Sequence, residues 1–253
     1  MKGGLDLDVD DLQPAKQATE YAESRFWLSD LMPLVEHHTP DGSASYVAAH
    51  DESAIWGVPG TPQIVAVKVS RDLDRRTFTI QSAEHATIPF AHAWLTEQGC
   101  PPEAAAPADA DPMAPADSLT AHIAQRIRTS GARYEVLDSY SDPDLCETWT
   151  LARDAQAAQA PVRVFVEQGD FATHMYTLRE GAFTDVSAAR SWLSTRDTPL
   201  PQPPEQHGEG GDRRVRAALS RSTGTAALPA GPEVAHQAPA ASTVPSSLPR
   251  RSI

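Results

Sequence analysis

The sequence predicts an α+β fold in which one unit, a helix, a four-stranded antiparallel meander and a second helix, occurs twice in tandem. Three observations carry this reading. With a shift of 97, Val65, Val67 and Val69 fall on Val162, Val164 and Val166, and strict alternation of this kind marks one buried face of a strand. One extra turn residue makes the shift 98, and Phe78-Thr79-Ile80 then falls on Tyr176-Thr177-Leu178, Ile88 on Val186, and Ala91, Trp94 and Leu95 on Ala189, Trp192 and Leu193. The helix starts agree as well, because Thr87 and Asp185 take the same place and both side chains can accept from the orphan N–H groups of a first helical turn. With drifting loop lengths the match extends backwards, pairing Trp56 with Trp149, Tyr46 with Tyr134, and Trp27, Leu31 and Val35 with Leu119, Ile123 and Ile127.

Taken in order, residues 1–18 read as a flexible acidic N-terminus. The stretch 4–12 alternates apolar and acidic residues, as an edge strand or a sheet-adding peptide would, yet termini stay loose unless something ties them down. The first unit spans 19–100. It opens with a helical stripe over 19–38 carrying Trp27, Leu31, Leu34 and Val35, which Pro33 either kinks or forces to begin anew near Asp30. Strands follow at 45–49, 54–58, 64–69 and 77–81, then a helix over 88–98 that Gly99 and Pro101 end. Residues 101–116, rich in Pro, Ala and Asp, form a stiffish linker.

The second unit, 117–199, repeats the order with clearer signals. Asp117 caps a helix bearing Leu119, Ile123 and Ile127, and Gly131 ends it. Strands follow at 134–139, 147–152, 162–167 and 173–179, with Asp142-Pro143-Asp144 and Gly169-Asp170 as turn chemistry. Asp185 caps the last helix, which stops near Arg196. Beyond it, residues 200–253 are Pro, Gly, Ser and Ala with arginines and little to bury, the composition of a disordered tail. In architecture alone this order of elements resembles small helper and adaptor domains of the secretion-chaperone kind, and no motif residue accompanies the likeness.

The formal charge of −13 is unevenly spread. Six arginines against four acids put the tail at +2, which leaves −15 on the residues before Leu200. A body so acidic repels phosphate backbones, so nucleic acid is not expected as its partner. There are only two cysteines, Cys100 and Cys146, with neither a disulfide framework nor a zinc spacing. No apolar run has signal-peptide or membrane-span length, and a reducing cytoplasm is the expected compartment, with no membrane.

Candidate chemistry is sparse, and no catalytic, cofactor-binding or metal-binding residue is assigned. His37, His38 and His50 with Asp51 and Glu52 are the densest group of possible metal ligands, but their spacing matches no known site. Asp142, Asp144 and Glu147 cluster at one hairpin, where turn chemistry already accounts for Asp-Pro-Asp. His85, His92 and His174 have Phe183, Arg190 and Arg76 as counterparts, and no nucleophile accompanies them. Trp94 and Trp192 are read as paired core anchors. The sequence therefore points to a non-enzymatic interaction or adaptor module with an unknown protein partner. The alternative is a hydrolase or sugar-binding enzyme whose site lies in a groove between the units. A short basic stretch, 212–219, is a candidate for docking on the acidic body of its own chain.

Overall fold

The computed structural model describes residues 5, 7–17, 19, 20, 28–53, 60–104 and 113–204. The expected strand at 54–58, residues 105–112 of the linker, Trp27, Trp56 and the basic stretch 212–219 lie outside the described residues. Within the described residues the chain forms two five-stranded mixed sheets and three α-helices.

The first sheet contains β1 (Gln13–Pro14), β2 (Leu31–His38), β3 (Ala44–Asp51), β4 (Ile64–Asp72) and β5 (Thr77–His85), in the order β1-β5-β4-β3-β2. The second contains β6 (Ala114–Pro115), β7 (Tyr134–Asp142), β8 (Glu147–Asp154), β9 (Val162–Asp170) and β10 (Met175–Phe183), in the order β6-β10-β9-β8-β7. The meanders are antiparallel, and β1 and β6 each add a short parallel strand at one edge. Helices α1 (Ile88–Glu97), α2 (Ser118–Arg128) and α3 (Val186–Thr195) complete the set.

Several expectations need correcting. Leu31–His38 is an edge strand, not the second half of a helix. Pro33 sits where the β2–β3 register shifts by one residue, a bulge on an outer strand, which is where a sheet tolerates a residue lacking an N–H. The first meander strand is therefore β2, and the stretch expected to come first, 45–49, belongs to the second, β3. A loose N-terminus does not hold at Leu5, Leu7 and Val9, which are buried against Val65, Val67, Val69 and Phe78. Arg71 fixes that segment by donating to the backbone carbonyls of Leu7, Asp8 and Gly42. Each meander has a fifth, parallel strand that was not expected, and Ala114–Pro115 supplies one from within the expected linker. At the start of the expected tail, Leu200 packs beside the second sheet and the Pro201 carbonyl accepts from the Ala182 amide.

The correspondence between the sheets is also closer than the drifting alignment implied. Leu31 faces Asp51 as Tyr134 faces Asp154, and the bulges at Pro33/Val35 and Val136/Asp138 are likewise 103 residues apart. From β4 onward the offset is 98: Ile64 faces His85 as Val162 faces Phe183. No extra turn residue exists between these strands. Val65, Val67 and Val69 thus match Arg163, Phe165 and Glu167, and Tyr46 matches Trp149. The slip of one exchanged the two faces of a strand, since side chains alternate. Alternation alone does not separate the two registers, because both faces of β9 are buried, Phe165 against α2 and Val162 and Val164 against α3.

The layers run from the N-terminal segment through the first sheet, α1 and α2, and the second sheet to α3. Ala91 and Leu95 of α1 pack on the first sheet. Phe90, one residue away, turns to the other side and meets Phe165 and Tyr134 edge-on at 5.2 and 6.2 Å between ring centres. One helix thereby contributes to the cores of both sheets.

Candidate functional site

The histidine group does not converge. His37 and His38 lie opposite Tyr46 and Ser45 at one end of β2, whereas His50 lies opposite Met32 near the other end. Nδ1 of His38 is 2.7 Å from the Ser45 hydroxyl, and Asp51 accepts from the Ser53 amide and hydroxyl. Among the described residues no group of three or more His, Cys, Asp or Glu side chains could hold a metal. The Asp142 carboxylate accepts from the amides of Asp144 and Leu145, closing the β7–β8 turn. Glu147 pairs with Arg196 at 2.8 Å. Turn and pairing roles thus occupy Asp142 and Glu147.

Burial drives the rings of His85 and His92 down to about 4, with the Arg128 charge adding to the effect at His92. Burial and then the Glu103 charge push the Cys100 thiol up to about 11, far from a thiolate nucleophile. Trp94 and Trp192 are half-buried at the core margin rather than enclosed in it. They make equivalent ring contacts, with His85 at 6.3 Å and Phe183 at 6.0 Å.

Two features escaped the sequence reading. The first is a buried chain of charges on the α2-facing side of the second sheet. Arg133 donates twice to Asp154, at 2.9 and 2.9 Å. Nε of Arg163 lies 3.4 Å from Asp154 and 3.4 Å from Glu180. Arg126 of α2 donates to the other oxygen of Glu180. Burial alone would raise Asp154, but the Arg133 bond, the Gln156 amide and the two arginine charges outweigh it and hold the carboxyl low. The sequence signal is Arg163 itself, a cation inside the run Val-Arg-Val-Phe-Val.

The second feature is an apolar row at one end of the same sheet. The β7–β8 and β9–β10 turns emerge side by side there, carrying Leu145 and Phe171, 66% and 67% exposed, with Met175 beside them at 42%. Met113 lies over Gly169, its sulfur 3.3 Å from where a Cβ would stand. Asp142, Asp144 and Asp170 flank the row. The Thr173 hydroxyl and the Ala172 amide hold Asp170 below the usual carboxylate range, so it stays ionised. The corresponding end of the first sheet exposes Leu73 at the place of Phe171, but Gly42 and Thr77 stand where Leu145 and Met175 are.

Side chains this apolar on turn tips gain nothing from water, and contiguous exposed groups of this kind mark contact surfaces more often than catalytic ones. No helix among the described residues is long and apolar enough to cross a membrane. Comparison with protein-family models, with curated proteins and with solved structures finds no match to this chain.

Proposed function

We propose that the chain is a non-enzymatic protein-binding module, built by tandem duplication of one α+β unit, that offers one end of its second sheet to a partner protein. The observation that carries the binding role is the row of Leu145, Phe171 and Met175, three large apolar side chains left exposed together at one end of the sheet. The shared strand order, the constant register offsets and the coincident bulges support the duplication. Three aspartates around the row and an acidic body select against phosphate backbones and anionic lipid surfaces. The partner is accordingly a protein surface with apolar side chains set among lysines or arginines. A reducing cytoplasm suits two cysteines that are both free.

Capture of partners from the native host, using the wild-type chain, the double variant L145D/F171D and the variant L73D, tests this reading. Wild type and L73D are expected to retain the same partner, and L145D/F171D to lose it by at least tenfold in yield. Equal yields from all three would remove the row from the binding surface.

A further inference from the structure

We propose that the inner face of the second sheet holds a site for a small oxyanion, phosphate or carboxylate in class, centred on Arg163, Arg126 and the Tyr134 hydroxyl. The buried chain Arg133–Asp154–Arg163–Glu180–Arg126 has three guanidinium groups and two carboxylates, so one positive charge is left over. The arginine side chains at its centre and inner end, Arg163 and Arg133, are 2% and 8% exposed. A surplus charge at that depth is costly unless something compensates it.

Residues of this buried chain and the tyrosine beside it also carry orphan donors. Nη1 of Arg163, Nε of Arg126 and the Tyr134 hydroxyl are all buried without a hydrogen-bond partner. Glu180 joins the first two, pairing with Arg163 through one oxygen and with Arg126 through the other. Glu180 is also the strongest charge acting on the Tyr134 phenol, followed by Arg126, Arg133 and Asp154. Burial and that carboxylate keep the phenol protonated, with its pKa pushed up to about 12, so it presents a donor at neutral pH. Three donors and a net positive charge form an acceptor's binding site. A water molecule could take up some of the N–H and O–H groups, but it would leave the charge unbalanced.

The fold itself does not call for these groups. At the matching positions the first sheet carries Val65 for Arg163, Leu31 for Tyr134 and Ser82 for Glu180, and Val65 and Leu31 are packed in an apolar core. An apolar face therefore builds the same sheet, and the polar set in the second sheet answers a different requirement. Arg126, 21% exposed, carries the cluster towards the surface along α2.

The test is thermal unfolding of the full chain at pH 7 in sodium phosphate, sodium acetate and sodium chloride at matched ionic strength. A saturable rise in Tm over chloride of about 3–6 °C at ten times the apparent Kd is expected for phosphate or for acetate, and the responding salt identifies the class. The variant R163V, which installs the first sheet's residue, is expected to abolish the rise. Should R163V fail to fold, R163K keeps the charge but loses the Nη1 donor, and Y134F removes the hydroxyl. Each is expected to raise the apparent Kd at least tenfold. No saturable rise over chloride would overturn the proposal. A rise that survives both R163K and Y134F would mean an adventitious ion only, and would overturn it equally. Neither result bears on the Leu145–Phe171 surface.

Discussion

At the scale of single residues, the most consequential side chains are polar ones placed where the fold excludes water. His85 is 7% exposed and His92 1%. His92 leaves both ring nitrogens without a partner, and His85 leaves Nε2 without one. Trp94 lies beside His85, and Arg128 of α2 faces His92. Both rings titrate near 4 in the folded chain against about 6.5 when unfolded, so the unfolded chain binds more protons between those values. Their contribution to stability is complete above pH 6.5 and is lost as the pH falls through that window. At pH 5 the loss is expected to be about 2 kcal/mol for each ring. Urea unfolding at pH 7 and pH 5 should show it, and H92L should remove about half of the difference. A stability that stays flat between pH 7 and pH 5 would mean that neither ring is held neutral by burial. Nothing local in the sequence announces this burial, since for His92 it depends on the second sheet that covers α1 and for His85 on the packing at the end of β5.

At the scale of elements, what the sequence made legible was local. The α2 and α3 caps are where they were expected, with Asp117 accepting from the Thr120 amide at 2.7 Å and Asp185 from the Ala188 amide at 2.9 Å. Thr87 occupies the equivalent place before α1, but its hydroxyl is buried and makes no capping bond. Non-local pairing was not legible. The stripe Leu31, Leu34, Val35 satisfies a helix as well as a bulged strand, and only the partner strand β3 decides between them. The N-terminal segment makes the same point. Its alternation fits a solvated terminus equally well, and what decides is Arg71, 64 residues away from Leu7, which binds its backbone. R71M removes a buried cation that serves three carbonyls and is expected to cost about 3 kcal/mol. Hydrogen exchange should then show the amides of residues 7–12 losing protection ahead of those in β4. Unchanged exchange in that segment would mean that the packing of Leu5, Leu7 and Val9 alone holds it.

At the scale of the whole molecule, α1 and α3 hold equivalent places on their sheets yet meet different surroundings. Six of the ten residues of α1 are buried, whereas only Ala189 is buried in α3. The outward positions follow suit: Phe90 and His92 of α1 correspond to Ala188 and Arg190 of α3. A helix enclosed between sheets needs apolar side chains all round, and a terminal one needs a polar outer face, as in short stacked arrays. Phe90 is then the hinge of cooperativity, 4% exposed and stacked edge-on with Phe165 across the interface. F90A is expected to lower stability by about 3–4 kcal/mol, the range for removing a buried aromatic ring. The loss should fall on both sheets together, because the ring fills the second sheet's core while the helix that carries it packs on the first through Ala91 and Leu95. Native-state hydrogen exchange can read β4 and β9 separately, and in F90A their most protected amides should weaken by equal amounts. A188S, at the solvent-facing counterpart, should change stability by no more than about 0.5 kcal/mol. If β9 weakens in F90A while β4 keeps its full protection, the sheets unfold independently and α1 does not couple them.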